Sequence, residues 1–334
     1  PAVLTVLNRI ENVTAVDAQQ TPAGLEILGA HQLRLLVPMK IQEETRGLLA
    51  IGDKITQQPF QSDEVEFLST LCNLAMISIE NARLFEEALE KERIEEELNI
   101  ARDIQQRLLP HECPHYEGCE IYGLNIPTRQ VGGDYFDCIE IDADNVAVTI
   151  ADVSGKGVPA SLLMSSLHAG LHNLVTPGGD IPAMVGRLNN FIQANTGFDK
   201  FITFFYGEFD LRHQVFRYVN AGHNLPYLFH ADGTIERLET GGLLLGMLPN
   251  MPYESEQIAL RKGDLLFLFT DGVTEAKNAA DEDFEESGLE AVLKPALDLP
   301  LRDLLDRVVE AVRTHCTGMP QSDDLTMMAV RWLI

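Results

Sequence analysis

The apolar positions of this chain change their period several times. Residues 33–37 and 48–51 are short apolar runs separated by the polar stretch Gln42-Glu43-Glu44-Thr45-Arg46-Gly47, which predicts two strands joined by a turn. Ser62-Asp63-Glu64 then supplies a capping hydroxyl and two acids suited to the positive end of a helix. Val65, Leu68, Leu71, Leu74, Ala75 and Ile79 follow at helical spacing. No Gly or Pro interrupts residues 82–109, where charges alternate with Leu84, Ile94, Leu98, Ala101 and Leu108. This predicts one long helix with a narrow apolar seam. The seam is imperfect, because Glu87, Lys91 and Gln105 stand where a stable coiled coil carries Leu or Ile. Pro110 ends the helix, and a second domain starts after His111-Glu112-Cys113-Pro114.

Beyond Cys119 the pattern turns strand-rich. Val146, Val148 and Ile150 alternate toward Asp152, Gly155 and Gly157 turn the chain, and Pro159 suits the first turn of an amphipathic helix over 161–174. Residues 201–209 and 215–219 read as a hairpin, and 227–229 as a further strand with Asp232-Gly233 as the tight turn after it. The run 265–269 predicts a buried strand ending at Asp271, 303–312 a helix, and 325–332 a last strand. Strands outnumber helices here and mostly follow one another directly, so the expected class is α+β with antiparallel sheets. Three segments result: a first domain over 1–81, a linker helix over 82–110, and a second domain over 119–334.

Charge removes several function classes. Lys and Arg total 25 against 51 Asp and Glu, a formal net charge of −26. That balance argues against nucleic-acid binding, which needs cations for phosphates, and against docking on anionic membranes. No apolar run approaches the roughly 20 residues needed to span a bilayer. The five cysteines (Cys72, Cys113, Cys119, Cys138 and Cys316) form no C-x-x-C pair, which fits reduced thiols in a cytoplasmic protein. The chain opens at Pro1 rather than Met, as a fragment or trimmed chain would.

The chemistry lies in four acidic motifs: Val131-Gly132-Gly133-Asp134-Tyr135-Phe136-Asp137, Ala151-Asp152-Val153-Ser154-Gly155-Lys156-Gly157, Thr270-Asp271-Gly272 and Ser322-Asp323-Asp324-Leu325-Thr326. Each abuts a predicted strand, so folding can gather several carboxylates at strand ends. Crowded carboxylates repel unless a cation stands between them. A phosphate-binding P-loop is excluded, since its first glycine falls on Ile150. Gly155-Lys156-Gly157-Val158-Pro159-Ala160 does match a dinucleotide fingerprint, which would predict nicotinamide binding. The helix after it leads into Thr176-Pro177-Gly178-Gly179-Asp180, not into the second parallel strand that such a fold requires. A metal ligand in a turn is favoured, because it explains all four motifs at once.

These motifs, together with Ile104-Gln105-Gln106-Arg107-Leu108-Leu109-Pro110 and Asn220-Ala221-Gly222-His223-Asn224, occur in the order found in PPM-type metal-dependent protein serine/threonine phosphatases. The segment from Cys119 to Ile334 closely resembles their bacterial SpoIIE/RsbU branch. The first eighty residues resemble the C-terminal half of a GAF sensory domain, especially residues 35–53 followed by Phe60-Gln61-Ser62-Asp63-Glu64. The resemblance implies a β-sandwich of two antiparallel sheets flanked by helices, with two Mn²⁺ or Mg²⁺ ions at one edge. Carried over, Asp152 would bridge the ions, the Val153 carbonyl would add a ligand, Asp271 and Asp323 would complete the shell of the second ion, and Asp134 would act through metal-bound water. Asp324 would support them from behind or join as a further metal residue.

All-oxygen donors select such hard ions. A pair roughly 3.5–4 Å apart can activate a water and clamp phosphoryl oxygens. Animal members carry a His where this chain has Ser154, which leaves the general acid unassigned. Arg129 has the spacing of their phosphate-gripping arginine but reads first as a surface charge, and His223 reads as a structural turn residue. The implied substrate is a phosphorylated STAS-type anti-anti-sigma factor in partner-switching signalling, with homodimerisation through the linker helix. A non-catalytic sensor or dimerisation scaffold on the same fold is the alternative.

Overall fold

In the computed structural model, residues 10, 12–16, 33–41, 44–110, 113, 116–197 and 200–334 are described. The chain divides into two units, Pro1–Glu96 and Glu97–Ile334. In the first, Thr14–Ala15 (β1), Leu33–Ile41 (β2) and Glu44–Gly52 (β3) form an antiparallel sheet in that order. Leu35 and Val37 on one face of β2 pack with Cys72, with Val65 and Leu68 beside them. Both strands run longer than their apolar runs, because ladder hydrogen bonds extend pairing into polar residues such as Lys40 and Thr45. Of the predicted turn, Gln42 and Glu43 lie outside the described residues, as do His111, Glu112 and Pro114 at the predicted domain start.

Ser62–Gln106 is one helix (α1) that belongs to the first unit as far as Glu96 and to the second thereafter. Its start is fixed by the Glu64 carboxylate, which accepts the Gln61 N–H at 2.7 Å. Ion pairs one turn apart, Glu80–Arg83, Arg83–Glu87 and Glu90–Arg93, line its surface. Such exposed pairs contribute little individually. Leu71, Leu74, Ile79, Leu84, Ile94, Ile100 and Ile104 are exposed along it.

The second unit contains Cys119–Ile126 (β4), Tyr135–Glu140 (β5), Asn145–Val153 (β6), helices Val158–Leu174 (α2) and Ile181–Asn195 (α3), then Ile202–Asp210 (β7), Val215–Ala221 (β8), Tyr227–Phe229 (β9), Ile235–Arg237 (β10), Gly241–Gly242 (β11), Glu256–Ala259 (β12) and Leu265–Phe269 (β13). Helices Asp271–Thr274 (α4), Glu285–Leu293 (α5) and Leu301–His315 (α6) and the strand Leu325–Trp332 (β14) complete it. One sheet has the order β10-β9-β13-β14-β4, the other β11-β8-β7-β6-β5 with β12 also on β8. Among the described residues these strands pair antiparallel except β11 on β8. The α+β sandwich expected from the sequence is therefore present.

Strand alternation explains the layers. Val146, Val148 and Ile150 point into the space between the sheets and meet Leu266, Leu268, Met328, Val330 and Trp332. Ala147, Ala151 and Val153 point the other way and pack under Leu163, Met164, Leu167 and Leu171 of α2 and Val185, Leu188 and Ile192 of α3. On the far side Phe267, Phe269, Met327 and Ala329 lie under Leu289, Leu304, Leu305 and Val308. Sheets buried on both faces read as continuous apolar runs, which is why 265–269 shows no alternation. Helix α3 was not expected. Asp180, read only as the end of a loop, caps it by accepting the Ala183 N–H at 3.4 Å, with a proline in the first turn.

The cysteine expectation needs correction. The structure joins Cys113 to Cys138, with Cα atoms 5.7 Å apart, while Cys72, Cys119 and Cys316 are free. Twenty-five residues separate the pair, so only the fold brings β5 beside the segment after α1. Among the described residues no helix is long and apolar enough to cross a membrane.

His223 ties the two sheets together. Its Nε2–H donates to the Phe269 carbonyl on β13 at 3.1 Å, so its Nδ1 accepts the Thr203 hydroxyl on β7 at 2.8 Å. Burial pushes its pKa down to about 4. The unfolded chain, with an ordinary His near 6.5, binds more protons between those values. Stability carried by neutral His223 is thus full above about pH 6.5 and lost as pH falls toward 4, by about 3 kcal/mol. Urea unfolding of wild type and His223→Asn at several pH values is expected to show a difference in slope of this sign and size. Parallel pH profiles would contradict it.

Candidate active site

Sheet topology decides where the acids meet. Tyr135 on β5 lies opposite Ala151 on β6, so Asp134 and Asp152 share one end of the six-stranded sheet. Phe269 on β13 lies opposite Met327 on β14, so Asp271, Asp323 and Asp324 share one end of the five-stranded sheet. Hydrogen bonds join the two ends. The hydroxyls of Thr270 and Thr326 donate to Asp134 Oδ2 at 2.7 and 2.5 Å. Asp324 accepts the Thr128 N–H on Oδ1 at 2.7 Å and the Gly133 N–H on Oδ2 at 2.9 Å. Two glycines make this approach feasible: a Cβ on Gly132 would stand 2.4 Å from Asp324 Oδ2, and one on Gly272 1.9 Å from the Asp324 carbonyl oxygen.

The electrostatics follow from the crowding. Burial, and then the neighbouring Asp152, push Asp134 well above the usual carboxylate range, although the two threonine hydroxyls pull it back. Burial, followed by Asp271, raises Asp152 to about 7, and a hydrogen bond with Asp134 opposes the rise. Asp271 is raised by burial, then by Glu275 and Asp323. A partial counter-charge comes from Lys156, whose Nζ lies 2.7 Å from Asp323 and donates to the Ser322 carbonyl at 2.6 Å. The carbonyl of Val153 faces Gly133, 3.0 Å from where a Cβ there would sit. These oxygen donors outnumber the local cations, and their raised carboxylate pKa values express the charge conflict that a bound cation would relieve.

All of Asp134, Asp152, Val153, Asp271, Asp323 and Asp324 therefore lie around one place. Asp324 differs from the others, since both its oxygens are already engaged by backbone N–H groups. Ser154 is engaged as well. Its hydroxyl accepts the Phe201 N–H at 2.9 Å and its own N–H donates to the Phe201 carbonyl at 3.0 Å. Arg129 reaches the same loop, with Nη1 3.6 Å from a Cβ placed on Gly157. Thr270 and Thr326 orient Asp134 from inside the quoted motifs, a role that their sequence context does not mark. Gln105 is a polar interruption of the apolar seam in the sequence. In the structure Gln105 is buried, accepts the Gly132 N–H at 3.0 Å and donates to the Gly132 carbonyl at 2.8 Å. Nearby Arg102 Nε donates to the Gln130 carbonyl at 3.0 Å. The end of α1 is thereby bonded to the segment that carries Asp134.

The family described as Stage II sporulation protein E (SpoIIE) matches residues 142–333. The chain belongs to the SpoIIE family. The GAF domain family matches residues 4–79, extending the expected likeness over most of the first unit. This SpoIIE-family chain is 29% identical over 242 residues to the phosphoserine phosphatase RsbU of Bacillus subtilis (strain 168), covering 72% of this chain and 71% of that protein. Its fold is similar to the SiaA PP2C domain of Pseudomonas aeruginosa, with TM-score 0.63 and 21% identity over 73% of this chain and 99% of that one. RsbX, solved in complex with magnesium, is similar over 66% of this chain and 98% of that one, with TM-score 0.50 and 17% identity. The second unit of this SpoIIE-family chain has a PP2C-like fold.

Such crowding costs stability until a cation arrives. A carboxylate whose folded pKa is raised favours folding as pH falls and opposes it above that pKa. The metal-free protein is therefore expected to gain stability as pH drops through about 7, and Asp152→Asn to raise its neutral-pH stability by roughly 1–3 kcal/mol after discounting for solvent screening. Thermal unfolding in chelator reads this out. A destabilised Asp152→Asn would argue that the carboxylates are not in conflict.

Proposed function

We propose that this protein removes phosphate from serine or threonine of a small regulatory protein, with two Mn²⁺ or Mg²⁺ ions held by Asp134, Asp152, Asp271, Asp323 and the carbonyl of Val153. The observation that carries this reading is the convergence of these oxygen donors at the joined sheet ends, with Asp134, Asp152 and Asp271 all pushed toward protonation by burial and mutual repulsion. Oxygen-only donors fit hard divalent ions, and the similar fold of RsbX has been solved with magnesium. Bound ions would supply positive charge for the phosphoryl oxygens and acidify an attacking water.

The chain's own groups then have separate tasks. Thr270 and Thr326 aim the Asp134 carboxylate, and Asp324 holds the Thr128 and Gly133 backbone that surrounds it. Arg129, exposed and placed beside the Asp152–Gly157 loop, is positioned to grip the substrate phosphate. The Ser154 hydroxyl accepts the Phe201 N–H and is a far weaker acid than an imidazolium, so proton delivery to the leaving alkoxide falls to solvent. Kinship with the phosphoserine phosphatase RsbU supports a phosphoserine protein as substrate, and a phosphorylated STAS-domain protein in a cytoplasmic partner-switching pathway is the substrate proposed. The exposed apolar side chains of α1 support pairing with a second copy of this chain. Gln105 then conveys the state of that helix to Gly132 and so to Asp134.

Phosphate release from a phosphoserine STAS-domain protein should require Mn²⁺ or Mg²⁺, and should fall at least about 100-fold in Asp152→Asn and Asp271→Asn. Gln105→Leu should change the rate while leaving Mn²⁺ binding intact. Full activity in chelator, or a wild-type rate in Asp152→Asn, would overturn the proposal.

A further inference from the structure

A second cluster of ligating side chains lies on the outer face of β5, and none of its members belongs to the Asp152 cluster. Strand alternation sends Phe136 and Cys138 into the space between the sheets and turns Tyr135 and Asp137 toward α2. On α2, His168 and His172 are four residues apart and so share one face. His172 Nε2 lies 2.7 Å from Asp137 Oδ2, and His168 Nδ1 lies 3.8 Å from the same oxygen. Tyr135 donates its hydroxyl to Asp137 Oδ2 at 2.6 Å and stands 3.2 Å from His168 Nδ1. One ligand atom each from Asp137, His168 and His172 can be chosen so that all lie within 4.8 Å of one another.

We propose that Asp137, His168 and His172 form a zinc site that fastens α2 to β5. Two imidazoles and a carboxylate are the donor set of a borderline cation such as Zn²⁺ or Co²⁺, not of the hard ions suited to an all-oxygen centre. Tetrahedral zinc, with bonds of about 2.0–2.1 Å, needs donor atoms roughly 3.3 Å apart, so the observed 2.7 and 3.8 Å bracket the requirement. Two histidines four residues apart on one helix face are a recurring zinc pair.

The surroundings suit this role better than that of an ion pair. The imidazole rings lie 4.3 Å apart between centroids, and the single Asp137 carboxylate balances only one of them if both are protonated. Burial, and then the nearby His172, lower the pKa of His168 and favour the neutral form that binds metal. Asp137 Oδ1 accepts the Cys138 N–H at 2.7 Å, which fixes the carboxylate with Oδ2 toward the histidines. The Asp137 side chain is 8% exposed and that of His172 is 42% exposed, so the cluster opens to solvent on the helix side and leaves room for a fourth ligand. A metal here links the strand that starts after Asp134 to the helix that starts after the Asp152–Gly157 loop. The two sites then share their supporting elements without sharing a ligand.

Co²⁺ titration of the full chain tests this, using the ligand-field absorption of four-coordinate cobalt, with Zn²⁺ competition to measure affinity. The background is Asp134→Asn/Asp152→Asn, so that the carboxylate centre does not contribute. The expected result is one tight Co²⁺ per chain with a tetrahedral spectrum, displaced by Zn²⁺. His172→Ala should weaken it about 100-fold or more, as should His168→Gln, which keeps the side-chain volume and guards against a folding artefact. Zn²⁺ should raise the Tm of the parent protein but not of either histidine variant. Absence of a tetrahedral spectrum in the parent would overturn the proposal. So would an unchanged spectrum in both histidine variants.

Discussion

Mutual repulsion among carboxylates gathered at one end of two sheets is the constraint on which the rest of this structure turns. Asp134, Asp152 and Asp271 are each raised by burial and by acidic neighbours, and no local cation offsets all of them. Lys156 pairs with Asp323 and offsets only part of the rise at Asp271. A fold tolerates such a cluster when the surrounding structure leaves its members no alternative position. Here the restraint comes from neutral donors. Two threonine hydroxyls hold Asp134, and two backbone N–H groups hold Asp324.

The layers exist to make that restraint stiff. The acids sit where ladders end, so their backbone positions are inherited from β5, β6, β13 and β14. Those strands are buried on both faces, by aromatic and aliphatic packing between the sheets and by helices outside. His223 crosses from one sheet to the other through Thr203 and Phe269, next to Thr270 and Asp271. Gln105 grips Gly132 from the end of α1. The remainder of α1 carries exposed apolar side chains.

Much of this was legible in the sequence, for identifiable reasons. The run 265–269 coincides with β13, because a strand buried on both faces is apolar throughout, and 325–332 coincides with β14, whose largely apolar run is interrupted by Thr326 and Arg331. A single Asp-Gly is an ordinary turn, and the acidic motifs stand out because four of them occur together at strand ends. Helix α3 was missed although Asp180 and a following proline marked its start, since the glycines before it read as loop. Gln105 was misread for a different reason. A polar residue in an apolar seam looks like a defect until the backbone it bonds is known, and Gly132 lies 27 residues away in sequence. The Cys113–Cys138 pairing and the Asp137, His168 and His172 cluster are likewise products of tertiary proximity, which spacing along the chain does not encode.

The most direct measurement is calorimetric titration of Mn²⁺ into metal-free protein near pH 6.5, repeated in buffers of different ionisation enthalpy to count protons. If the carboxylates are held protonated by burial and mutual repulsion until a cation replaces the protons, Mn²⁺ binding releases protons. The release then shrinks in Asp152→Asn and fades as pH rises well above 7. Binding without proton release, or binding and release unchanged in Asp152→Asn, would contradict the assignment of these acids as the metal centre.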